Sequence, residues 1–470
     1  MRSTRLVPLI VACALFMENL DSTVIATSLP VIAADLNQDP IALKLALTSY
    51  LISLAIFIPV SGWMADRYGA RTVFRAAIGV FMAGSLACAA AGSLGGFVGA
   101  RFLQGMGGAM MVPVGRLLIL RTVPKAELVP ALAYLTVPAL LGPVLGPPVG
   151  GFITTYFDWR WIFLINIPIG LAGIALATAY FENVREENPP RLDLLGFALL
   201  GTGLAALMLG LATGGRHLMP LEASGAVGVL GAVALALYFV RARRVEAPIL
   251  KLSLLRLPTF RAAVIGGSLF RVGVGAIPFL LPLMLQVGFG LNPLQSGLLT
   301  FMAAVGALFM KTLAARILRG FGFRQVLVVN ALVCAVFVAV NGWFAPDTPR
   351  ALIMAVLLIG GCFRSLQFTA INAIAFADVP PRDMSYATSL TSAAQQVALS
   401  IGVALGAFVL EAASLAQGRE AVQSADFMPA FMVIAAISAV SVLFFLRLDP
   451  DAGAEMSGHR QAADRAAPAA

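Results

Sequence analysis

Two acids stand where an acid is costly. Glu18 and Asp21 lie three residues apart inside an apolar run from 7 to 32, which puts both on one face of a helix. A charge at the centre of a membrane helix costs about 2.5–3.5 kcal/mol on insertion scales, so a functional reading is the default for such residues. Two carboxylates one turn apart at low dielectric are hard to ionise together, so one of them is suited to taking up and releasing a proton. The competing reading is a fixed ion pair with an arginine of a neighbouring helix. Four arginines also fall within apolar runs: Arg101, Arg116, Arg271 and Arg364. Arginine does not lose its proton in proteins, so each needs a counter-charge, a route to water or an anionic guest. Arg101 and Arg116 are candidate partners of the two acids, and snorkelling to the interface is the alternative for Arg116. Arg271 and Arg364 have no acid in their own or adjacent runs. With Arg116 and Gln104 they are candidates for a cavity that contacts an anionic substrate group, against the alternative of helix-end or backbone-carbonyl partners.

Other chemistries find little support. Cys13, Cys88, Cys334 and Cys362 all fall in apolar runs without CxxC spacing, as expected of small buried hydrophobes. His217 and His459 lie outside those runs, so a proton relay at membrane depth falls to carboxylates, and no metal site is expected. No Gly-x4-Gly-Lys-Ser/Thr loop occurs, which argues against ATP hydrolysis. No cofactor and no catalytic residue is expected; the energy source is a proton gradient.

The elements that must position these residues follow from composition. The chain has 470 residues, 60% hydrophobic and 12% charged, with a mean hydropathy of +0.91. That is too little polar surface for soluble domains, and apolar runs long enough to cross a ~30 Å hydrocarbon core recur throughout. The expected fold is an all-α polytopic membrane protein with spans near 7–32, 43–65, 73–93, 96–119, 128–154, 160–181, 193–212, 223–240, 260–286, 294–315, 325–344, 351–376, 388–411 and 427–446. The first run lacks a small-residue cleavage site and carries both acids, so it reads as a mature helix and not a signal peptide. Twenty-three of the 32 lysines and arginines fall at the termini and in the even-to-odd loops, and only five in the opposite loops. This bias places both termini in the cytoplasm and accounts for the net charge of +9 without nucleic acid. Trp63, Trp159, Trp161 and Trp343 fall near span ends, as interfacial anchors do.

A repeat is visible. The loop after span 2 reads Asp66-Arg67-Tyr68-Gly69-Ala70-Arg71 and that after span 10 reads Arg319-Gly320-Phe321-Gly322-Phe323-Arg324, with glycine and final arginine in register. Gly142 and Gly146 of span 5 match Gly402 and Gly406 of span 13. Spans 1–6 then correspond to spans 9–14, and two related six-helix halves are a common transporter plan. The expected division is a six-helix lobe over 1–182, two extra helices and a linker over 183–255, a second lobe over 256–447 and a tail over 448–470. In the 62–71 loop, glycine permits a tight turn and Asp66 can receive an arginine or a helix N-terminus. In span 5, Gly142, Gly146 and Gly150 recur every four residues, a stripe that allows close helix contact, while Pro143, Pro147 and Pro148 remove backbone donors and should bend the helix.

These patterns resemble those of the major facilitator superfamily. The resemblance rests on the 62–71 loop, on Arg101-Phe102-Leu103-Gln104-Gly105-Met106-Gly107-Gly108-Ala109 in span 4, and on the span-5 Gly/Pro run that marks the antiporter branch. Leu20-Asp21-Ser22-Thr23-Val24 and Trp159-Arg160-Trp161-Ile162-Phe163-Leu164-Ile165-Asn166-Ile167-Pro168 are similar to the fourteen-span drug:proton antiporters of EmrB/QacA type. Gly107 to Arg116 looks closest to the MdtD-like group. The resemblance implies alternating access of two lobes, with Asp21 and Arg101 in proton coupling, to which the reading of the paired acids adds Glu18. It implies a gating loop with Gly62, Asp66, Arg67, Gly69 and Arg71, and an antiporter helix with Gly142, Gly146, Pro147, Gly150 and Gly151. The chain departs from the family pattern at Ala26, where asparagine is usual, at Ala70, where a basic residue is usual, and at Arg319, in place of the second loop's aspartate.

The expectation is a proton-coupled efflux antiporter of multidrug type in a bacterial inner membrane, its arginine-containing cavity favouring anions. The alternatives are an exporter of one endogenous organic anion or metal chelate, a proton-coupled importer, and a lipid-modifying membrane enzyme, for which the clustered acids or histidines are missing. Its expected partners are a small-molecule substrate, protons and the lipid bilayer, with no nucleic acid and a monomeric state.

Overall fold

In lipid every backbone N–H and C=O must be satisfied within the protein, and a helix does this inside one segment. The computed structural model is helical throughout, with no strand among the described residues, which are 3–122, 128–183, 185, 192–213, 219–245, 248–380, 383–419 and 422–459. In chain order the helices are α1 (Ser3–Asp35), α2 (Lys44–Tyr68), α3 (Ala70–Ala89), α4 (Leu94–Thr122), α5 (Leu128–Tyr156), α6 (Trp161–Leu164) and α7 (Asn166–Tyr180). Then come α8 (Leu194–Thr213), α9 (Leu221–Ala242), α10 (Pro258–Arg261), α11 (Gly267–Gly275), α12 (Ile277–Leu283), α13 (Pro293–Asn341), α14 (Arg350–Ile374), α15 (Met384–Ala416), α16 (Phe427–Val440), α17 (Val442–Phe445) and α18 (Ala454–Ser457).

Several expected boundaries shift. The helices outrun the apolar runs, because backbone bonding continues through polar ends that hydropathy excludes: α1 starts at Ser3 and α15 reaches Ala416. Expected span 6 is broken at Ile165 into α6 and α7, three residues before Pro168, which has no N–H to give. The run Pro258–Gly288 contains two π-helical turns, Ala262–Gly266 and Met284–Gly288. Spans 10 and 11 join as α13, interrupted at Gly322 (φ 73°, ψ 166°). Twelve helical runs among the described residues are long and apolar enough to cross a membrane. Helix α5 runs through Pro143, Pro147 and Pro148.

The chain forms two compact units. The first, residues 1–249 with 282–301, packs α1 along α5, α4 against α2 and α3, and α8 along α9. Its core gathers Met17, Phe74, Phe81, Met111 and Leu118. The α8–α9 pair is clasped by Asp193, which accepts from Arg241 Nη2 at 2.7 Å and Nε at 2.9 Å and from the Gly196 N–H at 2.9 Å. The hydrogen-bonded Arg241 guanidinium holds the Asp193 carboxyl below its usual value. Leu194, Val229 and Leu230 on this pair are well exposed, as befits a surface against lipid. The second unit, residues 250–281 with 302–470, packs α11 between α15 and α16.

Of the four tryptophans, Trp159 is not an interfacial anchor. It is buried, its Nε1 donates to Asp35 Oδ2 at 3.2 Å and its ring meets Phe97 edge-on, because the α5–α6 connection turns it inward. Trp161 and Trp343 are exposed.

Candidate functional site

Helix α1 is seated by the glycines of α5. A side chain at Gly142 would meet Asn19 and Leu20, at Gly146 Thr23, and at Gly150 Val24 and Thr27. The stripe therefore presses α5 onto the stretch of α1 that carries Asp21. On the other side of α4, Gly105 lies against Tyr50 and Ser53 of α2, and Gly107 against Ala77 and Phe81 of α3. Close backbone approach from both sides brings the ends of long polar side chains together at one point.

At that point Asp21 is buried, with its side chain 1% exposed. Its Oδ2 accepts from Arg101 Nη1 at 2.7 Å, and its Oδ1 from Gln104 Nε2 and Asn166 Nδ2, both at 2.8 Å. Arg101 Nη1 also donates to Gln104 Oε1 at 2.6 Å, and its guanidinium carbon lies 4.4 Å from the centre of the Tyr50 ring. Ser85 Oγ accepts from Gln104 at 2.8 Å and Asn166 at 3.2 Å. Five helices, α1, α2, α3, α4 and α7, thus supply one network. All three of these partners are donors, the arrangement that a carboxylate accepts. Glu18 is only half-buried and engaged; its side chain and the Tyr50 hydroxyl both lie beside Gly108.

The expected Asp21–Arg101 pairing is therefore present. Gln104, expected at a substrate cavity, is instead fully buried and bonded to Asp21 and Arg101, because three residues along α4 return it to the Arg101 face. The side chain of Arg116 lies outside the described residues.

The second unit treats its arginines differently. Arg271 is 1% exposed on α11, donates through Nη2 to Asn372 Oδ1 at 2.7 Å and lies 5.6 Å from the Phe368 ring. Its Nε is buried without a partner, and among the described residues no carboxylate pairs with it. Gly267, one turn earlier, leaves room for its guanidinium. Arg364, Phe368 and Asn372 recur every four residues on α14, so they share a face. Arg364 has no hydrogen bond or ion pair among the described residues and is partly exposed. Three residues on, Gln367 accepts from Asn330 at 2.8 Å and donates to the Leu327 carbonyl at 3.1 Å.

The two repeated loops are built alike. Gly69 (φ 91°, ψ 135°) and Gly322 sit in a region of backbone space that side chains avoid. Arg71 Nη1 donates to the Phe181 carbonyl at 3.2 Å, and Arg324 Nη2 to the Leu446 carbonyl at 3.1 Å. Asn183 packs on Gly69 and accepts from the Thr72 N–H at 3.2 Å. His459 packs on Gly322 and donates from Nδ1 to the Arg319 carbonyl at 2.8 Å. Asp66 is engaged, Arg67 is exposed, and Gly62 has open space beside it. Gly151 faces Pro293 and Leu294, and Gly297 faces Pro147, all within the first unit.

Sequence reasoning missed several groups. Lys44 and Glu411 are buried and engaged inside helices, although both fell at the margins of expected spans. The recurrence of Arg-x-x-Gln in α4 and α14 is a readable signal that points to both Gln104 and Gln367. No group of three or more metal-ligating side chains occurs among the described residues.

A family profile described as Major Facilitator Superfamily matches residues 11–403 and 263–469. MdtD of Salmonella heidelberg (strain SL476), named for multidrug resistance, is 37% identical over 94% of both chains. MdtD of Yersinia pestis (strain Pestoides F) is 37% identical over 95% of this chain and 96% of its own. Among solved structures, a D-xylose–proton symporter superposes with a TM-score of 0.69 at 16% identity, over 95% of this chain and 98% of its own. The human organic anion transporter MFSD10 does so with 0.62 at 14% identity, over 94% and 99%. At such identities these two likenesses concern the fold alone.

Proposed function

This chain belongs to the Major Facilitator Superfamily, and from that membership we propose a proton-coupled exporter working by alternating access. It is a multi-pass membrane transporter of small molecules; the finer points of the proposal are proton antiport, outward transport and a preference for anions. The likeness to MdtD along nearly the whole chain supports efflux. The lobes over 1–182 and 256–447, the inserted pair over 183–255, the tail over 448–470, fourteen spans and cytoplasmic termini belong to the same reading.

The observation that carries it is the buried Asp21–Arg101 pair inside a complete donor shell. A proton reaching Asp21 cancels the charge that Arg101 answers, leaving a buried guanidinium uncompensated, and that imbalance favours a rearranged bundle. Glu18, half-buried one turn away, is the group through which protons reach it. One proton moving inward across 100 mV releases about 2.3 kcal/mol, enough for about a 50-fold substrate gradient. Arg271 and Arg364, cations that no carboxylate pairs with among the described residues, favour an organic anion as cargo, and a single endogenous anion or chelate fits them as well as a set of drugs. Gly62, Asp66, Arg67, Gly69 and Arg71 form the gating loop in this reading. Gly142, Gly146, Pro147, Gly150 and Gly151 form the antiporter helix.

The test is transport in proteoliposomes under an imposed pH gradient, comparing cationic drugs with organic anions for wild type and Asp21→Asn. Gradient-driven export by wild type that Asp21→Asn abolishes is expected. Wild-type transport indifferent to the gradient would end the antiport reading.

A further inference from the structure

The Asp21 shell leaves two atoms of Asp21's own partners unbonded, the donor Arg101 Nε and the acceptor Asn166 Oδ1. Asn166 is fully buried at the start of α7, directly after the break at Ile165, and its Nδ2 serves both Asp21 and Ser85. Its Oδ1 is buried and has no partner. A buried acceptor left without a bond is costly, so an arrangement that keeps one next to a charged site needs a reason.

The chemistry of proton uptake supplies it. A neutral carboxylic acid carries an O–H that must find an acceptor. Arg101 has no acceptor, and Gln104 Oε1 is already taken by Arg101 at 2.6 Å. Ser85 Oγ already receives two donors, from Gln104 and Asn166. Among the residues bonded to Asp21, the acceptor without a partner is Asn166 Oδ1. A carboxamide is nearly symmetric in shape, and a half-turn about its terminal bond exchanges N and O in place. We propose that Asn166 is the positioning residue that reads the protonation state of Asp21, donating through Nδ2 to the carboxylate and turning to accept the acid's O–H through Oδ1. The bond from Nδ2 to Oδ1 of Asp21 is exchanged for one from the Asp21 O–H to Asn166 Oδ1, and the proton stays on Asp21. After the turn the Ser85 hydroxyl can donate to the same amide oxygen. The inference rests on Asp21 being the proton-binding group.

The charged and titratable groups facing Asp21 are Arg101 of α4, Tyr50 of α2, Cys88 of α3 beside Gln104, and Glu18 of α1 itself. Loss of the amide removes a donor to a charged group, which is worth more than the neutral-acid bond it also removes. Asn166→Leu should therefore raise the pH at which Asp21 half-protonates by about one unit, the equivalent of about 1.4 kcal/mol.

The experiment is infrared difference spectroscopy of the full-length protein in lipid, titrated with protons alone, with the Asp21 carboxyl band identified by its loss in Asp21→Asn. In wild type carrying isotope-labelled asparagine, the side-chain amide band assigned by its absence in Asn166→Leu should shift together with the Asp21 band. Asn166→Leu should move the Asp21 midpoint upward, and Asn166→Gln should partly restore it. If Asp21 titrates while the Asn166 band stays still in wild type, this inference is overturned and the antiport reading stands. If Asp21 does not titrate at all, both fall. The wild-type measurement decides the matter even if the variants fold poorly.

Discussion

The same four-residue pattern stands in α4 and α14, Arg101-Phe102-Leu103-Gln104 and Arg364-Ser365-Leu366-Gln367, and the two units put it to opposite uses. In the first unit Gln104 and Arg101 close on Asp21, so a buried cation is neutralised on the spot. In the second, Gln367 turns to Asn330 and the backbone of α13, Arg364 goes unpaired, and Arg271 finds only an amide and an aromatic ring. One arrangement answers a charge from within the chain and the other leaves it to be answered. The difference is a single carboxylate, and in the proposed reading it separates the proton-binding group from the arginines that would receive an anion.

The largest effect should come from breaking the neutralised side. Asp21→Leu leaves Arg101 buried and alone, and should cost about 3–5 kcal/mol of stability along with gradient-driven transport; denaturant titration in detergent and proteoliposome assays measure the two. Arg271→Met should do the reverse for stability, because it removes a buried charge that no carboxylate answers among the described residues. The thermal midpoint should hold or rise, while transport of organic anions falls about tenfold or more, the value of one charge-assisted hydrogen bond of about 1.5–3 kcal/mol. A midpoint that drops as far as in Asp21→Leu would erase the contrast between the two arginines.

The paired loops sharpen the comparison at smaller scale. Gly69→Ala and Gly322→Ala both force a side chain into a region that costs of order 1–3 kcal/mol. At Gly69 the new methyl also runs into Asn183, whereas at Gly322 the nearest atom of His459 would be 3.2 Å away. Gly69→Ala should therefore lose more stability in parallel melts. The smallest effect belongs to the α8–α9 pair, outside the repeat. Arg241 holds Asp193 below its ordinary value, so the stabilisation is fully present above the unfolded carboxyl's value near 3.8 and is lost as pH falls through the lower folded value. The advantage of wild type over Asp193→Asn in thermal melts should persist at neutral pH and vanish in strong acid.

Much of this was legible because membrane physics makes charge conspicuous. The cost of burying Asp21, Arg101 and Arg271 singled them out before any contact was known, and the register of Gly69 with Gly322 anticipated two turns of the same build. Neutral amides carry no such cost, so the bonds of Gln104 to Asp21 and Arg101 could not be read beforehand, and Asn166, quoted only within a motif of resemblance, was given no role. Lys44 and Glu411 were lost at the margins of expected spans, Lys44 as the first residue of α2 and Glu411 where α15 runs on past the apolar stretch. Trp159 was misread because its surroundings depend on the α5–α6 turn, which local composition does not encode.

The seals on the two loops also order events in time. Arg71 is held by a carbonyl 110 residues further along, and Arg324 by one 122 residues further along. As the chain leaves the ribosome, the Gly69 turn can be sealed once Asn183 has emerged, with no help from anything beyond it. The Gly322 turn must wait for His459, 140 residues after Arg319. When Asn183 emerges, Asp21, Arg101, Gln104 and Asn166 have all been made, while Arg271 and Arg364 have not.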